Sequence, residues 1–183
     1  MAVIAEEQTA GQGSRHNTWE GGRGNLFTSI AVKATSLPED LLPQSASIYF
    51  AYLFKEILSE IDPDVWLKWP NDLYSGDQKI GGVMTQKLKD FFVVGIGINL
   101  KKNRNSFSAL NTDISALILL NIFLERLEKY PKWKDLFSKF KVEFEFSRAH
   151  FVHQNGVRIS LQDAVLCGDG SLEINGERMY SLR

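Results

Sequence analysis

The sequence predicts an α+β fold built mainly on an antiparallel sheet, and three observations carry the prediction. Three apolar runs rich in Val, Ile, Trp and Phe, at Val65–Trp69, Ile80–Thr85 and Phe91–Leu100, lie close together, with Gly, Pro, Asn and Asp between them. Such runs read as neighbouring strands joined by tight turns. Helical periodicity appears in separate blocks, at residues 43–61 and again from 114 onward. Past His153 the pattern shortens into strand-sized pieces separated by Asn155-Gly156, Asp169-Gly170 and Asn175-Gly176, which are strong short-range hairpin signals.

In chain order, Ala2–Ala5 is a short apolar run and predicts a strand. Residues 6–19 are small and polar without an apolar period and predict a loop, whose length marks it as functional. Asn25 to Lys33 alternates and predicts a strand. Pro43 opens a helix to about Ile61, with Phe50, Phe54, Ile57 and Ile61 on its inner stripe and Lys55, Glu56, Ser59 and Glu60 outside. Trp66 and Trp69 belong to the core. Lys101 to Asn111 is a polar surface loop. Asp113 is the expected N-cap of a helix over 114–130 with Leu117, Leu120, Leu124 and Leu127 inward. Pro131 starts another, burying Trp133, Leu136, Phe137 and Phe140. Strands are expected at Val157–Leu161, Ala164–Cys167, Leu172–Ile174 and Met179–Leu182. A boundary near residue 149 divides the chain into 1–149 and a small β unit, 150–183.

Composition bounds the function. In 183 residues, 44% are hydrophobic and 23% charged, as in an ordinary globular domain. Lys and Arg number 21 against 22 Asp and Glu, so a nucleic-acid surface is not expected. No stretch approaches the roughly 18 continuous apolar residues of a membrane span, and no secretory pattern opens the chain. The single cysteine, Cys167, excludes an internal disulfide and fits a reducing compartment, so a cytoplasmic location is expected.

The chemistry-bearing residues concentrate between 65 and 100. Pro70-Asn71-Asp72 interrupts the strands with groups that can hold a phosphate or a metal-bound water, and Lys68 and Lys79 sit at the two sides of that turn. Gly81-Gly82 and Gly95-Ile96-Gly97 strip two strands of side chains, letting a ligand lie against backbone. Together these predict a small-molecule site on a sheet face.

Lys68-Trp69-Pro70-Asn71-Asp72-Leu73, Lys79-Ile80-Gly81-Gly82-Val83 and Gly95-Ile96-Gly97-Ile98-Asn99, in that order and spacing, resemble the catalytic domain of biotin protein ligases. The resemblance runs upstream to about Ala5 and weakly to the C-terminus. It implies a class II synthetase-like biotin/lipoate ligase fold, a mixed and mainly antiparallel sheet with helices on one face, and a shortened SH3-like appendage. It implies biotin and ATP as substrates with Mg2+, formation of biotinyl-5′-AMP, and transfer of biotin to a lysine of the biotin carboxyl carrier domain of acetyl-CoA carboxylase. A monomer or weak homodimer is expected, and no repressor role, because no helix-turn-helix precedes Met1.

The same resemblance assigns residues. Lys79 becomes the main electrostatic catalyst, Asp72 the acceptor of the incoming lysine's proton, and Arg15 a catalytic cation. Gln8, Gly11, Gln12, Gly13, Ser14, Lys79 and Gly82 would contact biotin. Arg15, Trp19, Lys68, Asn71 and Asn99 would contact ATP or the adenylate, with a simple salt bridge to Asp72 as the alternative for Lys68, and Asn71 and Asp72 would hold magnesium. The loop departs from the family's Gly-Arg-Gly-Arg-Arg-Gly: Gln12 and Ser14 stand where arginines are usual, with Arg23 nearby as a substitute charge. Two alternatives stay open, a lipoate-type acyl ligase and a biotinyl-adenylate-binding protein without turnover. The family also has a Ser or Thr beside Asn before the first strand, as one wall of the biotin pocket. Met1 stands where that segment would end, so weak biotin binding is expected of the chain as given.

Overall fold

The computed structural model describes residues 1–12, 18–101, 109–110, 112–154 and 156–181. Its centre is a six-stranded, wholly antiparallel sheet formed by β1 (Ala2–Ala5), β4 (Leu26–Lys33), β5 (Val65–Lys68), β6 (Asp72–Ser75), β7 (Gln78–Leu88) and β8 (Phe91–Ile98), ordered β1-β4-β8-β7-β6-β5. The runs at Ile80–Thr85 and Phe91–Leu100 are neighbouring strands as expected, but the turn motif inserts one more strand between them and the run at Val65–Trp69. Asp72–Ser75 pairs with both flanking strands, a strand hidden in the sequence by its polar ends and its length of four residues. The expected loop at 6–19 is corrected as well: β2 (Gln8–Gln12) and β3 (Thr18–Gly21) form a two-stranded ribbon. Its pairing is set across the chain rather than by a local apolar alternation, so periodicity missed it.

Side chains alternate across the sheet. Ile30, Val32, Val83, Phe92, Val94, Ile96 and Ile98 are buried in one hydrophobic core with the helices. The central helix, α1 (Ala46–Ser59), follows a single 3-10 turn at Pro43–Ser45. Residues 46–54 of α1 are buried on every side, because α2 (Ala116–Leu127) and α3 (Trp133–Ser147) flank it above the same sheet face. Its expected outer face is accordingly reduced, and Lys55 is paired with Glu143 of α3.

Both helix starts move. Ser115, not Asp113, caps α2, its hydroxyl accepting from the Ile118 amide at 3.3 Å, while Asp113 pairs with Lys101. The buried stripe is Leu119, Leu120, Phe123 and Leu127, and Leu117 faces solvent. Helix α3 begins at Trp133, two residues past Pro131, where the carboxylate of Asp40 accepts from the Trp133 and Lys134 amides at 3.1 and 3.0 Å.

The C-terminal strands are β9 (Phe151–Gln154), β10 (Val157–Ser160), β11 (Val165–Leu166), β12 (Leu172–Ile174) and β13 (Glu177–Met179). Strand β9 was not expected; it pairs antiparallel with β10. Val152, Leu161, Ala164, Leu172 and Met179 enter the same core as the helices. The Asp169-Gly170 turn is keyed between the starts of α1 and α3. Its carbonyls accept from Ser45 Oγ at 2.7 Å and from the Trp69 indole at 2.8 Å, and the neighbouring Gly168 carbonyl accepts from the Trp133 indole at 3.0 Å. Among the described residues no helix is long and apolar enough to cross a membrane.

Candidate functional site

The face of the sheet opposite the helices carries a cleft of about 470 Å³. Register explains its floor. Gly82 lies opposite Gly97, and Met84 opposite Gly95, so period-two alternation puts three glycines side by side on the helix-free face. Backbone is thereby exposed as a recess in the sheet. Asp72, across from Gly82, forms the rim toward β6, and Thr28 and Ser29 line it toward β4. Glu7, Gln8, Thr9, Ala10 and Gly11, from the ribbon and its lead-in, make the opposite wall.

Gly81 and Gly82 serve different ends. A β-carbon at Gly81 would overlap the Gly97 carbonyl oxygen and sit 2.5 Å from Ile98 Cδ1, so this glycine is required by strand packing. A β-carbon at Gly82 would meet only the Asn71 carbonyl at 3.2 Å and the Asp72 carboxylate at 3.6 Å. Gly82 thus leaves open space in the cleft.

The charges converge on Asp72. Lys79 Nζ donates to Oδ1 at 2.5 Å, and Lys68 Nζ lies 3.9 Å from Oδ2. Strands β5 and β6 put Lys68 directly opposite Asp72, with the cis Trp69–Pro70 bond and Asn71 closing the turn. Lys68 also stands 5.5 Å from the centre of the Tyr74 ring. Burial, with Asp72 adding to it, pushes the Tyr74 phenol up, so it remains protonated. Burial and then the charge of Lys68 hold His150, packed on Trp66 and Tyr74, below the usual imidazole range. His150 is therefore neutral at pH 7.

Of the residues expected from sequence, the structure brings Gln8, Gly11, Asn71, Asp72, Lys79 and Gly82 together in the cleft. Lys68 stands behind Asp72 and is not among the residues lining it. Asn99 is buried at the end of β8, its backbone bonded to Ile80 and Leu110. Gly13, Ser14, Arg15 and His16, with the side chains of Gln12 and Trp19, lie outside the described residues; so does most of the polar stretch 101–111. Arg23 pairs with Glu7 at 3.4 Å. Glu7, Thr9, Ala10, Thr28, Ser29 and Met84 were not expected. Counting by two from Gly82 through the strand pairings would have found Met84 and Ser29, but that register is not written in the sequence.

Asn71 and Asp72, the residues expected to hold magnesium, are both engaged within the protein. The Asn71 amide donates to the Val83 carbonyl at 2.7 Å, and the Asp72 carboxylate is bracketed by two ammonium groups. Magnesium is usually held by one or two carboxylates together with substrate phosphates, so an ion here would need Asp72 and the phosphates as its oxygen ligands. Among the described residues no group of three or more His, Cys, Asp or Glu comes together.

Comparison with known proteins bears on this cleft. The family model of biotin/lipoate A/B protein ligases matches residues 1–103. The bifunctional ligase/repressor BirA of Escherichia coli is 34% identical over 132 residues, 68% of this chain and 40% of that protein. The biotin–[acetyl-CoA-carboxylase] ligase of Mycobacterium tuberculosis is 27% identical over 104 residues, 55% of this chain and 39% of that protein. The chain thus spans about two fifths of the length of the curated relatives it matches. Among solved structures, the biotin acetyl coenzyme A carboxylase synthetase of Helicobacter pylori, crystallised with bound biotinylated ATP, is 39% identical with a TM-score of 0.92, over 98% of this chain and 85% of that one. The biotin protein ligase of Aquifex aeolicus in complex with biotin and ATP is 25% identical with a TM-score of 0.71, over 100% of this chain and 88% of that one.

Proposed function

The chain belongs to the biotin/lipoate A/B protein ligase family, and from that premise we propose that it activates biotin with ATP and passes the biotinyl group to a lysine of a biotin carboxyl carrier domain. In the first step the biotin carboxylate attacks the α-phosphate of ATP, pyrophosphate leaves, and biotinyl-5′-AMP remains. In the second the acceptor amine attacks the mixed-anhydride carbonyl and AMP leaves.

One observation carries the reading: an ammonium group, Lys79, is held at the rim of a glycine-floored cleft by a carboxylate it can exchange. Bringing a carboxylate against a phosphate joins two anions, and a positioned cation offsets their repulsion as charge builds in the transition state. Asp72 keeps Lys79 in place before the substrates arrive, at 2.5 Å. Once the substrate anions take the ammonium, the Asp72 carboxylate is released to accept the proton of the incoming amine. Gln8 on the ribbon wall would meet the polar ureido ring, and Gly82, Gly95 and Gly97 would let the bicycle lie against backbone. Arg15, Gln12, Gly13, Ser14 and Trp19 would close the site from the ribbon's connection, and Lys68 and Asn99 would act on the nucleotide side. All the lining residues fall within 1–149, which we assign as the catalytic part, with 150–183 as its appendage.

The test is incubation with ATP and radiolabelled biotin or lipoate, followed by separation of adenylate and transfer products. Biotinyl-adenylate from wild type, with a loss of roughly 10²- to 10³-fold in Lys79→Ala and an unchanged melting curve, is the expected result. Adenylate formation by Lys79→Ala within threefold of wild type would overturn the role. The family model spans lipoate enzymes too, so adenylate from lipoate alone would reassign the substrate. Tight binding without turnover would make the chain a binding protein.

A further inference from the structure

Strand β5 is the edge of the sheet among the described residues, and its outward amides face helix α3 rather than another strand. Helix α3 supplies the acceptors instead. Glu143 Oε1 accepts from the Leu67 amide at 2.6 Å and Ser147 Oγ from the Trp69 amide at 3.1 Å. The spacing matches: side chains four apart on a helix advance about 6 Å, and alternate amides of a strand stand about 6.6 Å apart. Both side chains are buried, and the second oxygen of Glu143 is paired with Lys55 of α1. The bonded strand residues flank Lys68 and lead within five positions into Asp72.

We propose that Glu143 and Ser147 are positioning residues for the reaction, setting β5 so that Lys68 and Asp72 stand where Lys79 can be held at the cleft. This rests on the reading that Asp72 and Lys79 carry the chemistry. Lys55 neutralises Glu143 and keeps its carboxylate turned to the strand. The device lies wholly outside the cleft and touches no substrate.

The full chain is assayed as Glu143→Ala, Ser147→Ala and the pair Lys55→Met with Glu143→Gln, which keeps the acceptor and removes both charges. Phe123→Leu, in the core beneath α1 and away from β5, controls for plain destabilisation. Hydrogen exchange at Leu67 and Trp69 is read by NMR, together with kcat and KM for adenylate formation. Removing either acceptor is expected to speed exchange at its own amide about tenfold and to lower kcat roughly ten- to hundredfold, with KM for biotin within twofold. The Lys55/Glu143 double variant should recover kcat, and Phe123→Leu should lose melting temperature without losing kcat. Should Glu143→Ala not fold, Ser147→Ala carries the test, since it strands no charge. Unchanged kcat despite lost protection, or an equal fall in Phe123→Leu, overturns the proposal. If wild type forms no adenylate, the functional reading fails by itself. The positioning claim is then decided by the carboxyl carbon signal of Asp72, which must move in Ser147→Ala and stay in the double variant.

Discussion

A methyl group at Gly81 has nowhere to go, since it would press on the Gly97 backbone and the Ile98 side chain, whereas a methyl at Gly82 would stand in the cleft. Adjacent substitutions should therefore separate folding from binding. Gly81→Ala is expected to cost about 1–3 kcal/mol by overpacking, read as a fall of about 2–4 °C in Tm per kcal/mol. Gly82→Ala should melt closer to wild type and weaken biotin binding at least about tenfold in calorimetry. Equal melting losses with equal affinity would show that neither glycine shapes the floor. At this scale the sequence was informative about identities: Lys79, Asp72, Gln8 and Gly82 were all nameable from motifs. It was silent on the partner of Lys79, though it offered Asp72 as an alternative partner for Lys68. That Asp72 holds Lys79 on one oxygen and faces Lys68 on the other follows from the pairing of β6 with β7 on one side and β5 on the other, and β6 had no apolar run to announce it.

Among the elements, helix α3 illustrates how distant residues set a local boundary. Its first amides are bonded by Asp40, more than ninety residues earlier, so no capping signal stood next to Pro131. Burial pushes the Asp40 carboxyl up, but the amides of Lys134 and Trp133 outweigh it and hold the group below its ordinary 3.8. A folded-state value below the unfolded one means a contribution present above about pH 4 and lost as pH falls through the folded value. Asp40→Ala should cost about 0.5–2 kcal/mol at pH 7, as other cap losses do. The melting curves of variant and wild type should converge below pH 3.8. A constant difference down to pH 2.5 would deny Asp40 this role. The helices themselves were legible from their apolar spacing. The ribbon β2–β3 was not, because its residues are small and polar and its order comes from pairing across a connection.

For the whole molecule, the division drawn near residue 149 marks a change of pattern, yet the core runs across it. Val152, Leu161, Leu172 and Met179 are buried with α1 and α3, and four such side chains represent about 6–12 kcal/mol of burial, comparable to the 5–15 kcal/mol that holds a typical domain together. The indoles of Trp69 and Trp133 also take their acceptors from the Gly168–Gly170 segment. Residues 1–149 alone should therefore lack a cooperative thermal transition in near-ultraviolet circular dichroism. A sharp transition within about 5 °C of the full chain would make 150–183 an independent unit.

The two ends of the central sheet are finished differently. At β5 the outward amides of Leu67 and Trp69 are consumed by α3, while at the other end β1 is paired on one side only among the described residues, all four of its residues exposed. A sheet with one sealed margin and one bare margin cannot be extended indefinitely. Two copies joining at β1 would each present a sealed margin outward, so edge-to-edge growth ends as a closed pair related by a twofold axis rather than a fibre. The hydrogen bonds that set a strand beside the cleft thereby also stop growth of the central sheet at that margin.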